Sequence, residues 1–392
     1  MSSRRLLYKN HKTWVEVCKK ALRNNARIVR GLLQPENKLM AVVKSNAYGH
    51  GLVETASLLS KNSDWLGVDN LDEAILLRQD NIKSPILVMG YTPAERFQEA
   101  IAHDLRLTIY DTAGLKNIFT NYSLPASSRL RRGEQTTHYK LHVKIDTGMS
   151  RQGVTLADLP KFLSLLRSNL NRLKIEGVFT HFANADNLED RSYPNLQLAN
   201  FKKALAIIGA AGIKPAIRHA SATTGLFTMS EAQFDMARIG IAFYGLWPSI
   251  KFASKFKNFG LSPTLNWKTR VAQIKKIKKG TPVGYGITER VKKDSTIAIL
   301  PVGYYDGYFR SLSSAGEVLV GGRRCRILGR ISMNLSVIDI SNTKNAKVWD
   351  EVVLIGGQGL ENITAEELAE KAGTISYEVV SRINPLLPRI YL

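Results

Sequence analysis

The chain has 392 residues, 44% of them hydrophobic, and its 55 Lys and Arg against 33 Asp and Glu give a formal charge of +22. That length exceeds one ordinary core and predicts two domains. No apolar run reaches the eighteen or so residues of a membrane-spanning helix. Cys18 and Cys325 lie far apart and outside any CxxC pair, which argues against a disulfide scaffold or a zinc site and fits a cytoplasmic protein.

In chain order, the opening MSSRRLLYKN lacks the apolar stretch of a secretory signal. From residue 38 to about 245, short apolar runs recur: LMAVVK (39–44), WLGVDN (65–70), ILVMGYT (86–92), LRLTIYD (105–111), YKLHVKIDTG (139–148), IEGVFTHFA (175–183), AIRHASATT (216–224) and ARIGIAFYG (237–245). Amphipathic stretches such as NLDEAILLRQDN (70–81) and LADLPKFLSLLRSNL (156–170) separate them. Strands alternating with helices in this way predict an α/β fold whose N-terminal domain, residues 1–246, is a (β/α)8 TIM-type barrel. Residues 121–137 read as an irregular loop and 247–263 as a linker. Beyond the linker, alternating runs such as STIAILPVGY and DEVVLIG predict a C-terminal all-β domain, residues 247–392, with residues 1–20 a candidate to pack with it. One helix is expected at 364–373, with Thr364 as its N-cap ahead of Glu367. The basic residues are scattered, with runs only at 129–134 and 273–280 and no interleaved aromatics, so they read as solvated faces rather than a nucleic-acid surface.

Barrel active sites lie where strands end. Lys44 ends the first predicted strand, with Tyr48 beyond it; Lys144, Asp146 and Arg151 follow the fifth; His181 follows the sixth. Thr223 follows the seventh, and Arg238, Gly240 and Ile241 lie on or after the eighth. A lysine desolvated at a barrel rim can lose its proton and condense with an aldehyde. Pyridoxal 5'-phosphate is the aldehyde most often held so, and the hydroxyl and backbone N–H groups at Thr223, Gly240 and Ile241 are suited to its phosphate. Arg238 could donate to a pyridine nitrogen but could not protonate it. Taken singly, each signal has a plainer reading: Lys44 as a solvated rim charge, His181 as a core histidine, Tyr48 as a packing residue.

AVVKSNAYGHG resembles the pyridoxal-phosphate attachment motif of alanine racemases, and KIDTGMSRQG, EGVFTHFANAD, FDMARIGIAFYGL, VGYGIT, LPVGYYDGY, LGRISMN and ISYEV resemble that family's other signatures in the family's order. The resemblance covers essentially the whole chain. It implies a cytoplasmic, pyridoxal-phosphate-dependent isomerase that interconverts L- and D-alanine for peptidoglycan, assembled as a head-to-tail homodimer. On it, Lys44 matches the cofactor-bearing lysine and base for the D-substrate, and Tyr285 the base for the L-substrate, contributed by the partner subunit. Arg238 matches the arginine facing the pyridine nitrogen, His181 its histidine neighbour, and Arg151 the arginine near the cofactor's phenolic oxygen and the substrate carboxylate. Lys144 matches a lysine often carbamylated in the family. Tyr48, Thr223, Gly240, Ile241 and Tyr377 match phosphate-binding positions, Met333 a backbone contact to the substrate carboxylate, and Tyr304 a tyrosine near the pocket mouth. Racemisation needs a proton removed on one face of Cα and returned on the other, and two bases on opposite faces meet that need. Their ordinary values, roughly 10.4 for lysine and 10 for tyrosine, must come down toward neutrality.

The chain departs from the family pattern at Ala222-Thr223, where Asn-Ser is common, at Asn334, where Asp is frequent, and at Ser150, where TGMGR is the usual motif. Ala222 and Asn334 leave open a broader racemase that also takes serine or lysine. A barrel-type decarboxylase would need an acidic partner for the ring nitrogen, and a non-catalytic cofactor carrier would lack the β domain that holds Tyr285.

Overall fold

A computed structural model describes residues 10–121, 139–168 and 173–392. The basic run at 129–134 and the loop expected over 121–137, apart from its first residue, lie outside these. The chain forms two compact units. One holds Ala26–Ser45 and Leu52–Phe243; the other holds the chain up to Asn25, Asn46–Gly51 and Tyr244–Leu392.

The strands, in chain order, begin with β1 (Thr13–Val17), which belongs to the second unit. The first unit contains β2 (Lys38–Val42), β3 (Trp65–Val68), β4 (Ile86–Val88), β5 (Arg106–Ile109), β6 (Tyr139–Asp146), β7 (Val154–Thr155), β8 (Leu173–Phe179), β9 (Ile217–His219) and β10 (Met236–Ile239). All pair in parallel in the order β10-β2-β3-β4-β5-β6-β8-β9, with β7 extending β6. Backbone bonds from Asp235 N to Arg218 O (3.0 Å) and Arg238 N to Ser221 O (2.9 Å) bring the two end strands together. The result is a nearly closed eight-stranded barrel. Helices at Leu52–Leu59, Leu71–Gln79, Thr112–Asn121, Leu159–Arg167 and Ser192–Ala210 follow its strands.

Strands of a parallel barrel are buried on both faces, which is why they read as apolar runs rather than alternations. Met40, Trp65, Leu87, Ile217 and Met236 form one cluster of the interior, each worth about 1.5–3 kcal/mol of burial. The helix Leu71–Gln79 starts where the Asn70 side chain accepts from Glu73 N (2.9 Å), while Glu73 accepts from Asp69 N (3.1 Å). Those two bonds also pin the end of β3.

The second unit continues with β11 (Leu265–Arg270), β12 (Gln273–Ile277), β13 (Pro282–Val283), β14 (Glu289–Arg290), β15 (Ser295–Leu300), β16 (Glu317–Val320), β17 (Arg323–Arg326), β18 (Ser336–Asp339), β19 (Glu351–Gln358), β20 (Glu361–Ile363) and β21 (Arg389–Tyr391). Its main sheet runs β17-β16-β19-β11-β1-β21, beside a three-stranded sheet β12-β15-β18 and a hairpin β13-β14. β1 pairs antiparallel with β11 and parallel with β21; this register draws the described N-terminal residues into the C-terminal unit. The helix expected over 364–373 spans Ala365–Ala372, with the Thr364 hydroxyl accepting from Glu367 N at 3.0 Å. The stretch 247–263 is not a plain linker. Ser249 caps a helix, Ile250–Phe256, by accepting from Phe252 N, and Phe252 and Phe256, one turn apart, pack together at 4.6 Å between ring centroids. No described helix is long and apolar enough to cross a membrane.

Candidate active site

Lys44 stands just past the end of β2, and its Nζ donates to Asp69 Oδ1 at the end of β3 (3.1 Å). From its place at the strand end, this lysine is expected to be desolvated. In the structure its side chain is 39% exposed and has a carboxylate partner, and desolvation falls instead on Lys144.

The next turn is left-handed: Ser45, Asn46, Ala47 and Tyr48 have φ of 57°, 55°, 51° and 53°. For L-residues this costs roughly 1–2 kcal/mol each, so neighbouring groups must hold it. Within the second unit, Gly51 N donates to Asn46 O (3.0 Å) and His50 Nδ1 lies 2.9 Å from Tyr48 O. From the C-terminus, Arg389 Nε donates to Gly49 O (3.1 Å), and the Tyr391 hydroxyl donates to His50 O (2.5 Å). Gly49 has φ +81°, and a Cβ there would lie 1.9 Å from Val380 O; only glycine permits that approach. The His50 ring is fully buried and held down to about 4 by burial, so it stays neutral.

In the barrel unit, Arg238 is buried on β10 and donates to Thr180 O (2.7 Å), Ala220 O (3.0 Å) and His219 O (3.0 Å). It also meets two imidazoles, His219 Nδ1 at 3.0 Å and His181 Nδ1 at 3.2 Å. Guanidinium only donates, so both imidazole nitrogens must accept. Burial, reinforced by Arg238 and the neighbouring Arg151, Lys144 and Lys44, keeps His181 well below the usual histidine range. Lys144, on β6, donates to Gln152 Oε1 (2.8 Å). Burial first, then Arg151, Arg238 and Lys44, lower it to about 7, so a substantial share of the amine is neutral at physiological pH. Arg151 is exposed on the loop after β6. That loop is organised by Asp146 Oδ1, which accepts from Gly148, Met149 and Ser150 N at 2.9, 3.0 and 3.1 Å. Thr223, buried, opens the short helix Thr223–Thr228, and the buried Gly240 and Ile241 stand where β10 passes into a 3-10 turn.

The remaining predicted residues belong to the second unit. The Tyr48 ring lies 4.9 Å from Tyr244 and 6.2 Å from Tyr377. Tyr285 sits between Gly284 and Gly286, both at φ 74°, at the tip of the β13-β14 hairpin, and is 72% exposed. Tyr304 and Met333 are also exposed and are tied through backbone bonds, Tyr304 N to Ser332 O (3.1 Å) and Tyr305 N to Met333 O (2.9 Å).

The alanine racemase N-terminal domain matches residues 17–248 and the alanine racemase C-terminal domain residues 264–391. The chain belongs to the alanine racemase family. Alanine racemases from Symbiobacterium thermophilum and Carboxydothermus hydrogenoformans are 41% and 39% identical to it, over 97% of this chain and 97% and 99% of theirs. Among solved structures, alanine racemase from Bacillus anthracis with bound L-Ala-P superposes with a TM-score of 0.89 at 35% identity, covering 97% of this chain and 95% of that one. The Streptomyces lavendulae alanine racemase gives 0.88 at 32%, covering 97% of each.

In this alanine racemase family member the sequence reading passed over Asp69, Gln152, His142, His219 and Glu176. His142 and His219 carried a usable signal, since each stands on a barrel strand beside apolar neighbours, Leu141 and Val143 for one and Ile217 and Ala220 for the other, at a position where a solvated side chain does not fit. Asp69 and Gln152 carried none, because polar residues after a strand are ordinary.

Proposed function

We propose that the protein interconverts L-alanine and D-alanine with pyridoxal 5'-phosphate, as a cytoplasmic homodimer in which Tyr285 acts in the partner's site, supplying D-alanine for peptidoglycan. The observation that carries this reading is the charge of the barrel unit: Arg151, Arg238 and Lys44 bear on Lys144, all four cations bear on His181, and the buried Arg238 contacts carbonyls and imidazoles rather than a carboxylate. Such a surplus of positive charge fits a bound phosphate together with a substrate carboxylate.

Lys44 is the amine that would hold the cofactor. The Thr223 hydroxyl, the N–H groups of Gly240 and Ile241, and the phenols of Tyr48 and Tyr377 would hold its phosphate. Bound there, pyridoxal phosphate supplies an electron sink that acidifies the Cα–H of an attached amino acid. Arg238, donor-only, has no proton to give a ring nitrogen, which limits how far negative charge spreads and disfavours transamination. His181 holds Arg238 in place. Arg151 and the Met333 backbone bind and orient the substrate carboxylate, Tyr304 narrows the approach, and Lys144, carrying CO2 as a carbamate, positions Arg151. Lys44 moves the proton on one face of Cα and Tyr285 on the other. The high exposure of Tyr285, in a unit that also exposes Ile287, Tyr304, Tyr305 and Met333, supports its use by a second copy.

The test is an absorbance spectrum before and after borohydride, with mass spectrometry of the Lys44 peptide, alongside alanine turnover in wild type and Tyr285→Phe. The expected result is cofactor trapped on Lys44 in both proteins and turnover reduced about 10²–10⁴-fold in the variant. An unmodified Lys44 after addition of pyridoxal phosphate would overturn the reading; full turnover in Tyr285→Phe would remove the second base. Ala222 and Asn334 keep a second reading, a broader racemase. An apolar pocket rejects a substrate that merely adds a hydroxyl by only about 10²-fold, so kcat/KM for serine within about tenfold of that for alanine would favour it.

A further inference from the structure

We propose that His142 and Glu176 are positioning residues for Arg238, linked to it through His219 as a one-way series of hydrogen-bond donors and dipoles inside the barrel unit. Arg238 donates to His219 Nδ1 at 3.0 Å, so that nitrogen carries a lone pair and the His219 proton sits on Nε2. His219 Nε2 lies 2.9 Å from His142 Nδ1 and donates to it. The His142 proton is therefore on Nε2, which has no hydrogen-bond partner among the described residues and faces Glu176 Oε2 at 3.8 Å. Arg106 Nε donates to the same carboxylate oxygen at 3.0 Å.

Every N–H in the series points away from Arg238 and toward Glu176. The imidazole lone pairs face the guanidinium and the positive dipole ends face the carboxylate, so each link strengthens the next. Glu176 thereby serves as a remote counter-anion: it steadies the charge of Arg238 while no acid stands beside that residue. This rests on the proposed function only for what Arg238 faces, a ring nitrogen that must not receive a proton.

The barrel is built around these rings. Gly177 on β8 leaves room for His142: a Cβ there would lie 2.4 Å from His142 Nδ1, and the β6-β8 register shifts between Leu141 and His142. Phe179 stacks on His219 at 4.7 Å and 14°, and Trp65 packs against His142 at 5.3 Å. Both imidazoles are fully buried and shifted below the usual histidine value, chiefly by burial, which keeps them neutral and able to hold defined tautomers.

Two measurements test the series. In the protein as purified, labelled with ¹⁵N-histidine and assigned with single His→Gln variants, His142 and His219 should both be Nε2–H tautomers and remain neutral through the range in which an ordinary histidine takes up its proton. An Nδ1–H tautomer at either ring, or protonation near the ordinary value, would overturn the proposal without touching the racemase reading. Glu176→Gln keeps an oxygen for Arg106 and removes the charge. It should lower kcat about tenfold, leave KM for alanine within about twofold, and alter the pH titration of the cofactor's absorption band. Unchanged kcat and an unchanged spectrum would assign Glu176 to Arg106 alone and overturn the proposal. If Glu176→Gln does not fold, the wild-type tautomers decide. Absence of cofactor on Lys44 in wild type would sink the function proposed above and leave the tautomer result standing.

Discussion

Ser150 has φ +56° while its N–H donates to Asp146 Oδ1, a conformation that costs an L-residue about 1–2 kcal/mol. Glycine would remove that cost but add freedom to the unfolded chain worth about 0.4–1 kcal/mol. Ser150→Gly is therefore expected to stabilise the protein by up to about 1 kcal/mol, read as a rise in denaturation midpoint at unchanged slope. A drop in the midpoint would mean that the serine side chain contributes more than the backbone strain. Lys144 gives a pH prediction. Its folded value is about 7, against about 10.4 in an unfolded chain. Between those values the unfolded state binds the extra proton, so this group's contribution to stability grows as pH rises from about 7 to about 10 and is least below 7. With CO2 excluded, so that Lys144 is the free amine, wild type should gain stability relative to Lys144→Met between about pH 6 and pH 9. Equal responses would show that Lys144 titrates as it does when unfolded.

At the scale of the element, the left-handed turn Ser45–Tyr48 persists because groups remote in sequence hold the carbonyls of the residues that follow it, Gly49 to Gly51. The Tyr391 hydroxyl is one of them, reaching His50 O at 2.5 Å and Gly51 O at 3.2 Å. Tyr391→Phe should cost about 1–2 kcal/mol of stability and weaken retention of pyridoxal phosphate, since Lys44 leads directly into this turn. Stability lost with cofactor retention unchanged would confine the role of Tyr391 to the fold. The same scale accounts for part of the basic charge. Lys275 and Lys276 lie exposed on β12, an edge strand of its sheet among the described residues, where lysines discourage pairing with another chain.

For the molecule as a whole, the proposed site residues divide between the units: Lys44, Lys144, Arg151, His181, Thr223, Arg238, Gly240 and Ile241 in one, Tyr48, Tyr285, Tyr304, Met333 and Tyr377 in the other. If Tyr285 serves the partner's Lys44, mixing a Lys44→Ala protein with a Tyr285→Phe protein under conditions of subunit exchange rebuilds one intact site in each mixed dimer. Activity should then recover to about a quarter of wild type, because half the dimers are mixed and each has one working site of two. No recovery after verified exchange would place Tyr285 in its own chain's site.

What the sequence determined by itself was the barrel and the position of the proposed site residues at the strand ends. The strands are buried on both faces, so their apolar runs announce them, and Lys44, Arg151 and Arg238 fall after or on such runs by position alone. Tertiary structure decided what the pattern does not encode. Pairing of β1 with β11 and β21 drew the N-terminal stretch into the second unit, because strand pairing joins segments without regard to their distance along the chain. Ser249 and the packed Phe252 and Phe256 made a helix where composition suggested a linker. Burial and the field of neighbouring cations singled out Lys144 rather than Lys44 as the desolvated amine. Arg238, a lone arginine in sequence, acquired its direction from His219, His142 and Glu176, three residues on three other strands, since hydrogen-bond polarity is a property of neighbours in space.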